Sequence, residues 1–227
     1  MKKRWNLRNQ LLIYISSLII IISVLIASVS FKMCNEIIVD QIGQSRVDVL
    51  KQIGERTSNV KESMIYISNT LFFNSRLKHL MMEEDSNSKQ SFKETFDGLI
   101  ENINSAFQST NFLFEVECIC ESGLYYNTDH YMNDFSEIKN ELWYKELLKN
   151  PNEVLWISST IGQVINYDST VSAVSAVTNA AEKIVAVIIV SVNETQFSDK
   201  YENIIYKDNE IFIVDGNGKI VSSNNKI

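Results

Sequence analysis

Between Leu11 and Phe31 the chain runs for twenty-one residues without a charge, carrying only apolar side chains, five serines and Tyr14. At 1.5 Å per residue, a helix of that length covers about 31 Å, the thickness of a bilayer's hydrocarbon core. Apolar density is highest over Leu18–Ile26. Lys2, Lys3, Arg4 and Arg8 precede the run, and Trp5 and Tyr14 stand where an aromatic belt would meet the near interface. That asymmetry puts the amino terminus in the cytoplasm and everything after residue 31 outside. A cleaved signal peptide is the competing reading, because Ser28 and Ser30 are small enough to form a cleavage site. Against it, the run exceeds the roughly 7–15 apolar residues of a signal sequence. No lipoprotein cysteine is present either, since Lys32 and Met33 precede Cys34. The sequence is therefore read as a cytoplasmic tail at 1–10 and a permanent transmembrane helix at 11–31.

Charge separates the rest from the tail. Four of the 21 basic residues precede the run, which leaves 17 against all 28 acidic residues, a net of −11 for the remainder of the chain. So acidic a surface repels phosphate backbones, and no nucleic-acid partner is expected. Three cysteines in 227 residues make no disulfide framework. Cys118 and Cys120 flank Ile119 at strand spacing, where side chains two apart share a face. A metal or redox pair and two small buried side chains are the alternatives there.

Beyond the membrane, a long helix is expected over 32–83. Ile53, Val60 and Ile67 recur every seven residues, with Met64 and Leu71 on a second row. Its first half is polar on most other faces and suits pairing with a twin helix in a homodimer. Its second half, with Ile65, Leu71, Phe72 and Phe73, suits packing on its own domain. Glu84–Lys89 is a polar break, and Phe92, Phe96, Leu99, Ile100, Ile103 and Phe107 mark a second helix over about 91–108. The period then drops to two over Phe112–Cys120, predicting a strand. Ser122-Gly123 turns into a second strand at Leu124–Asn127. A helix is expected over Phe135–Lys149, stopped by Asn150-Pro151. Strands are expected next at 154–158, 170–178 and 183–192, the last nearly all β-branched. Asn193–Gln196 reads as a capping box opening a helix to Tyr206. A hairpin then turns on Asp215-Gly-Asn-Gly218.

Three stretches carry a family resemblance: Trp143-Tyr144-Lys-Glu-Leu-Leu, Val171–Asn193 and Ile211–Ser222. With the order of elements around them, the chain resembles the double Cache domain, the PAS-like extracytoplasmic sensor of bacterial histidine kinases and chemoreceptors. The last stretch and the helix before it are most similar to sensor kinases paired with AraC-like response regulators. The resemblance implies an α+β fold: a transmembrane helix, a membrane-emergent helix at 32–83 and a membrane-distal PAS-like subdomain at 84–206. A membrane-proximal subdomain would begin at 207–227 and be cut short. It further implies a sensory input region of a two-component kinase that meets its response regulator only through a kinase module. A chemotaxis receptor or a diguanylate cyclase would use the same sensor, and a self-standing membrane-anchored binding protein is the rival from another class.

The ligand expected is a small extracellular molecule, enclosed by the concave face of the sheet and the helix over it. Trp143, Tyr144, Trp156, Tyr167 and Asn179 are the candidate lining residues, since Trp and Tyr give flat apolar walls with one hydrogen-bonding tip. Family members that bind amino acids carry Arg where this chain has Glu141, and Tyr where it has Ser136. They also carry a carboxylate where it offers Asn179 or Glu182. Without the arginine a free α-carboxylate lacks its bidentate partner, so a typical amino acid is not expected. A neutral or cationic small molecule, a peptide or a carbohydrate is. No catalytic residue, metal site or cofactor is expected. His79 and His130 lack partnered motifs, the two glycines of 215–218 serve a hairpin rather than a phosphate loop, and Glu83-Glu84 and Glu115/Glu117 read as solvated.

Overall fold

The computed structural model describes residues 7–82, 88–108, 112–128, 135–158, 170–193, 212–214 and 220–223. The change of period seen in the sequence becomes helices followed by an antiparallel sheet. Helix α1 spans Leu7–Phe72, α2 Ser75–Met82 and α3 Ser88–Phe107. Strands β1 (Phe114–Cys120) and β2 (Tyr125–Asn127) form a hairpin, closed where the Cys120 amide donates to the Leu124 carbonyl and the Gly123 amide to that of Cys120. Gly123 takes φ +82, which only glycine adopts cheaply. Two short helices come next, α4 (Phe135–Ile138) and α5 (Leu142–Leu147). The chain then enters β3 (Leu155–Ser158), β4 (Thr170–Thr178) and β5 (Ile184–Asn193). Strands β6 (Phe212–Val214) and β7 (Ile220–Ser223) pair antiparallel as a separate two-stranded sheet. The helix expected over 194–206 and the turn at 215–218 lie outside the described residues.

The main sheet has the order β2-β1-β5-β4-β3, every pairing antiparallel. Its central strand is the β-branched β5, and its edges are strands of three and four residues, too short to offer much template for another chain. Both faces are covered, which is why β4 and β5 read as nearly continuous apolar runs. On one face, here the layer face, Val116, Cys118, Cys120, Ala173, Val177, Ala186, Ile188, Val190 and Val192 pack with Val60, Met64, Ile67 and Leu71 of α1, Leu77 and Met81 of α2, and Phe92, Phe96 and Ile103 of α3. On the other, the far face, Ile119, Val174, Ala176, Val187 and Ile189 pack with Phe135, Ile138, Tyr144 and Leu147 of α4 and α5.

Two expected helices are each broken once. The stretch 32–83 is interrupted after Phe72, where Asn74 Oδ1 accepts from the Leu77 amide at 2.9 Å and caps α2. The stretch 135–149 divides around Asn140 and Glu141, whose amides bond back to Glu137 and Ile138 three residues earlier.

Two compact units divide the chain, one through Gly54 and one from Glu55. In the first, the segment of α1 over 11–31 is apolar and bare, with Leu18, Ile20 and Ile26 at 59, 62 and 62% exposure. By length and composition that helix can cross a membrane. The second unit holds the sheet and the helices packed on it.

Candidate ligand-binding site

The far face of the sheet is apolar in the middle and polar toward one end. Strand alternation puts Glu115, Glu117 and Ile119 of β1, and Glu121 just after it, on or beside this face, and the registers line the strand residues up with their neighbours. Glu115 stands opposite Ser191, which stands opposite Ser172, in one row across three strands. In the next row Asn127, Glu117, Ile189 and Val174 stand side by side. Neighbouring strands lie about 4.8 Å apart and residues two apart on a strand about 7 Å, so these polar groups, spread over four strands, share a patch roughly 15 Å across.

Hydrogen bonds link some of them in two separate groups. The Tyr125 hydroxyl donates to Glu117 Oε1 at 3.1 Å and accepts from Asn127 Nδ2 at 2.8 Å. Ser172 and Ser191 are linked through their hydroxyls at 2.8 Å. Ser172 is buried; Glu115, Glu117, Tyr125, Asn127 and Ser191 are half-buried. The two glutamates are thus not the solvated pair expected from sequence. Their alternation with Val116 and Cys118 suggests one apolar and one wet side, whereas both sides of the strand are covered. The signal for this lies in β4 and β5, whose runs are too apolar for a sheet wet on one side.

Trp143 and Tyr144 come to this face on α5. Tyr144 is buried in the far-face cluster, edge-on to Phe135 at 6.0 Å, and Trp143 packs against the same cluster, edge-on to Tyr144 at 6.1 Å. The indole Nε1 of Trp143 is wholly buried and finds no acceptor among the described residues. An indole N–H so placed usually has a partner, which makes it a donor available to a bound molecule. Burial, and after it the charge of Glu121, pushes the Tyr144 phenol up, so Tyr144 stays a neutral donor and acceptor. Glu121 is held by Lys183 at 2.8 Å and Lys139 at 3.1 Å, and these lysines, Lys183 first, hold its carboxyl below the usual range.

The other expected residues lie elsewhere. Trp156 packs with the layer-face cluster, with Lys61 Nζ 5.4 Å from its ring centroid. Asn179 sits in the β4–β5 turn, where its Oδ1 accepts from the amides of Ala181 and Lys183, both at 3.0 Å. Glu182, in the same turn, takes φ +59. Tyr167 lies outside the described residues. So Trp143 and Tyr144 are brought together, and Trp156 and Asn179 are not brought to them. Among the described residues no three His, Cys, Asp or Glu side chains cluster as metal ligands do. An open groove of about 460 Å³ runs along α3 beside Tyr126 on the opposite side of the sheet, its tyrosine committed to Asp97 at 2.9 Å.

No family model matches the chain, and no curated protein matches it. Solved structures do. The ligand-binding domain of the Campylobacter jejuni chemoreceptor Tlp3, in complex with 4-methylisoleucine, superposes with a TM-score of 0.52 at 17% identity, over 78% of this chain and 68% of that one. The periplasmic sensory domain of the C. jejuni chemoreceptor Tlp1 gives 0.51 at 16% identity, over 78% and 70%. The fold is that of a PAS-like sensory domain. At such identities the likeness extends to the fold alone, and the role of the far-face residues depends on their own chemistry.

Proposed function

We propose that the chain is the extracytoplasmic ligand-sensing region of a membrane-bound receptor, a two-component sensor histidine kinase whose output module belongs to a longer protein. On this reading residues 11–31 cross the bilayer with the amino terminus inside. The row Ile38, Ile42 and Val49 of α1 pairs with its counterpart in a homodimer, and binding outside biases a two-state output inside. Supporting the dimer, Ile38 and Ile42 are 53 and 45% exposed, and Ile37, Val39, Val47 and Leu50 beside them are exposed as well. A chemotaxis receptor is the second reading, favoured by the matched structures, both of which are chemoreceptor domains. The same sensor would serve a diguanylate cyclase.

The ligand site we assign to the far face, with Trp143 and Tyr144 as its wall. The observation that carries it is the buried, unpartnered Trp143 indole N–H on the face that also bears the Glu115–Glu117–Tyr125 patch. Two carboxylates beside hydroxyls repel an anion and attract hydrogen-bond donors, so the ligand is neutral or cationic rather than a carboxylate paired to arginine.

The test is a thermal-shift panel on the full chain in lipid nanodiscs, spanning amines, neutral sugars, short peptides and carboxylates. An amine or neutral compound should raise Tm in proportion to its concentration, reaching about 2.7 kcal/mol of stabilisation at one hundred times Kd. Trp143→Ala should abolish the shift, and Glu117→Gln should weaken a cationic ligand selectively. A compound whose shift survives both substitutions unchanged places the site elsewhere.

A further inference from the structure

Helix α1 meets the sheet through two kinds of contact. Val60, Met64, Ile67 and Leu71 are each at most 1% exposed and give apolar contact, which has no direction. Because such residues recur at helical spacing, a stripe of them fits the sheet nearly as well when the helix is rotated or moved along its axis by a turn. Ser68 breaks that equivalence. It is 1% exposed, and its Oγ lies 2.7 Å from the Oγ of Ser175 on β4, a contact between residues 107 apart in sequence.

We propose that the Ser68–Ser175 pair is a register pin, fixing the axial position and rotation of α1 on the sheet. In any other register both hydroxyls face apolar neighbours of the layer face and lose their only mutual partner, and a buried polar group left unpaired is disfavoured. The position of Ser175 gives the pin its meaning. Three residues earlier on the same strand, Ser172 points to the opposite face and bonds Ser191 beside Glu115. One strand therefore holds α1 from one side and the polar end of the far face from the other. A second contact works in the same sense two turns earlier on α1, where Lys61 stands over the Trp156 ring of β3. The pin is a property of the fold; its use to pass a signal from the far face to α1 rests on the sensor reading.

The experiment is a spin-label distance measurement on the full chain carrying Cys34→Ser, Glu62→Cys on α1 and Ala181→Cys in the β4–β5 turn, diluted with unlabelled chain. With both serines present a single narrow distance is expected, and Ser68→Thr, which keeps a hydroxyl, should retain it. Ser68→Ala and Ser175→Ala should each add a second population displaced by up to a helical turn, about 5.4 Å, raising the displaced fraction on the order of tenfold. The double substitution leaves no unpaired hydroxyl, so it should regain thermal stability over the single variants while its distance distribution is the broadest. Distributions in all three alanine variants that superpose on the parent would overturn the pin and leave an ordinary buried hydrogen bond. That outcome leaves the ligand site untouched, and failure of the ligand panel leaves the pin untouched.

Discussion

Glu121 shows what a single residue does just past the end of strand β1. Lys183 and Lys139 favour its ionised form, so its folded-state pKa lies below its unfolded value. A depressed carboxyl stabilises the fold above the unfolded pKa and loses that contribution as pH falls through the folded one. The chain should therefore lose a small part of its stability on acidification below about pH 4.5, and Glu121→Gln should flatten that part of the profile. Each exposed pair is worth at most about 1 kcal/mol, so 1 M salt should shrink the difference; urea titrations at several pH values measure both. Tyr126 is the neighbouring case. Burial, then its bond to Asp97, pushes the phenol well up, so it donates throughout the accessible pH range. Cys118 is comparable: burial first, then Cys120, raise the thiol and suppress the reactive thiolate. At this scale the sequence is legible where the residue type dictates its surroundings, as for the buried cysteine pair. It is not legible for Glu115 and Glu117, whose burial depends on what covers the far face. Nor is it for Trp156, whose side is set by strand register rather than by composition.

At the scale of elements, hydrophobic period decides most of what forms. Phe92, Phe96 and Ile103 of α3 are buried as their helical spacing requires, and β4 keeps the expected bounds of 170–178. Phe96 carries the most weight on α3, fully buried, stacked on Tyr126 at 4.4 Å and edge-on to Phe92 at 5.0 Å. Phe96→Ala should cost about 3–5 kcal/mol in denaturant titration. Period cannot see the helix breaks, because the same apolar stripe runs through Leu71 into Leu77 and Met81. What divides α1 from α2 is one side chain, Asn74. Asn74→Ala should cost about 1 kcal/mol, and amide exchange should quicken at Leu77 and its neighbours while β4 and β5 keep their protection.

For the whole molecule, two facts stand side by side: a bare apolar helix segment, and a PAS-like sheet unit whose far face carries aromatic and acidic groups. The first is plain from the uncharged run 11–31. The second emerges only when strand order brings β1, β5 and β4 into register, since Glu115, Ser172 and Ser191 are far apart in sequence. Sensing from outside requires that the sheet unit lie beyond the membrane, where an extracellular molecule reaches it. Cys118 and Cys120 are buried and Cys34 is exposed, so a single reporter thiol is readily built with Cys34→Ser and Lys145→Cys. A membrane-impermeant maleimide applied to intact cells should label that thiol as fully as it does after permeabilisation. Labelling only after permeabilisation would put the sheet unit in the cytoplasm and contradict the sensor reading.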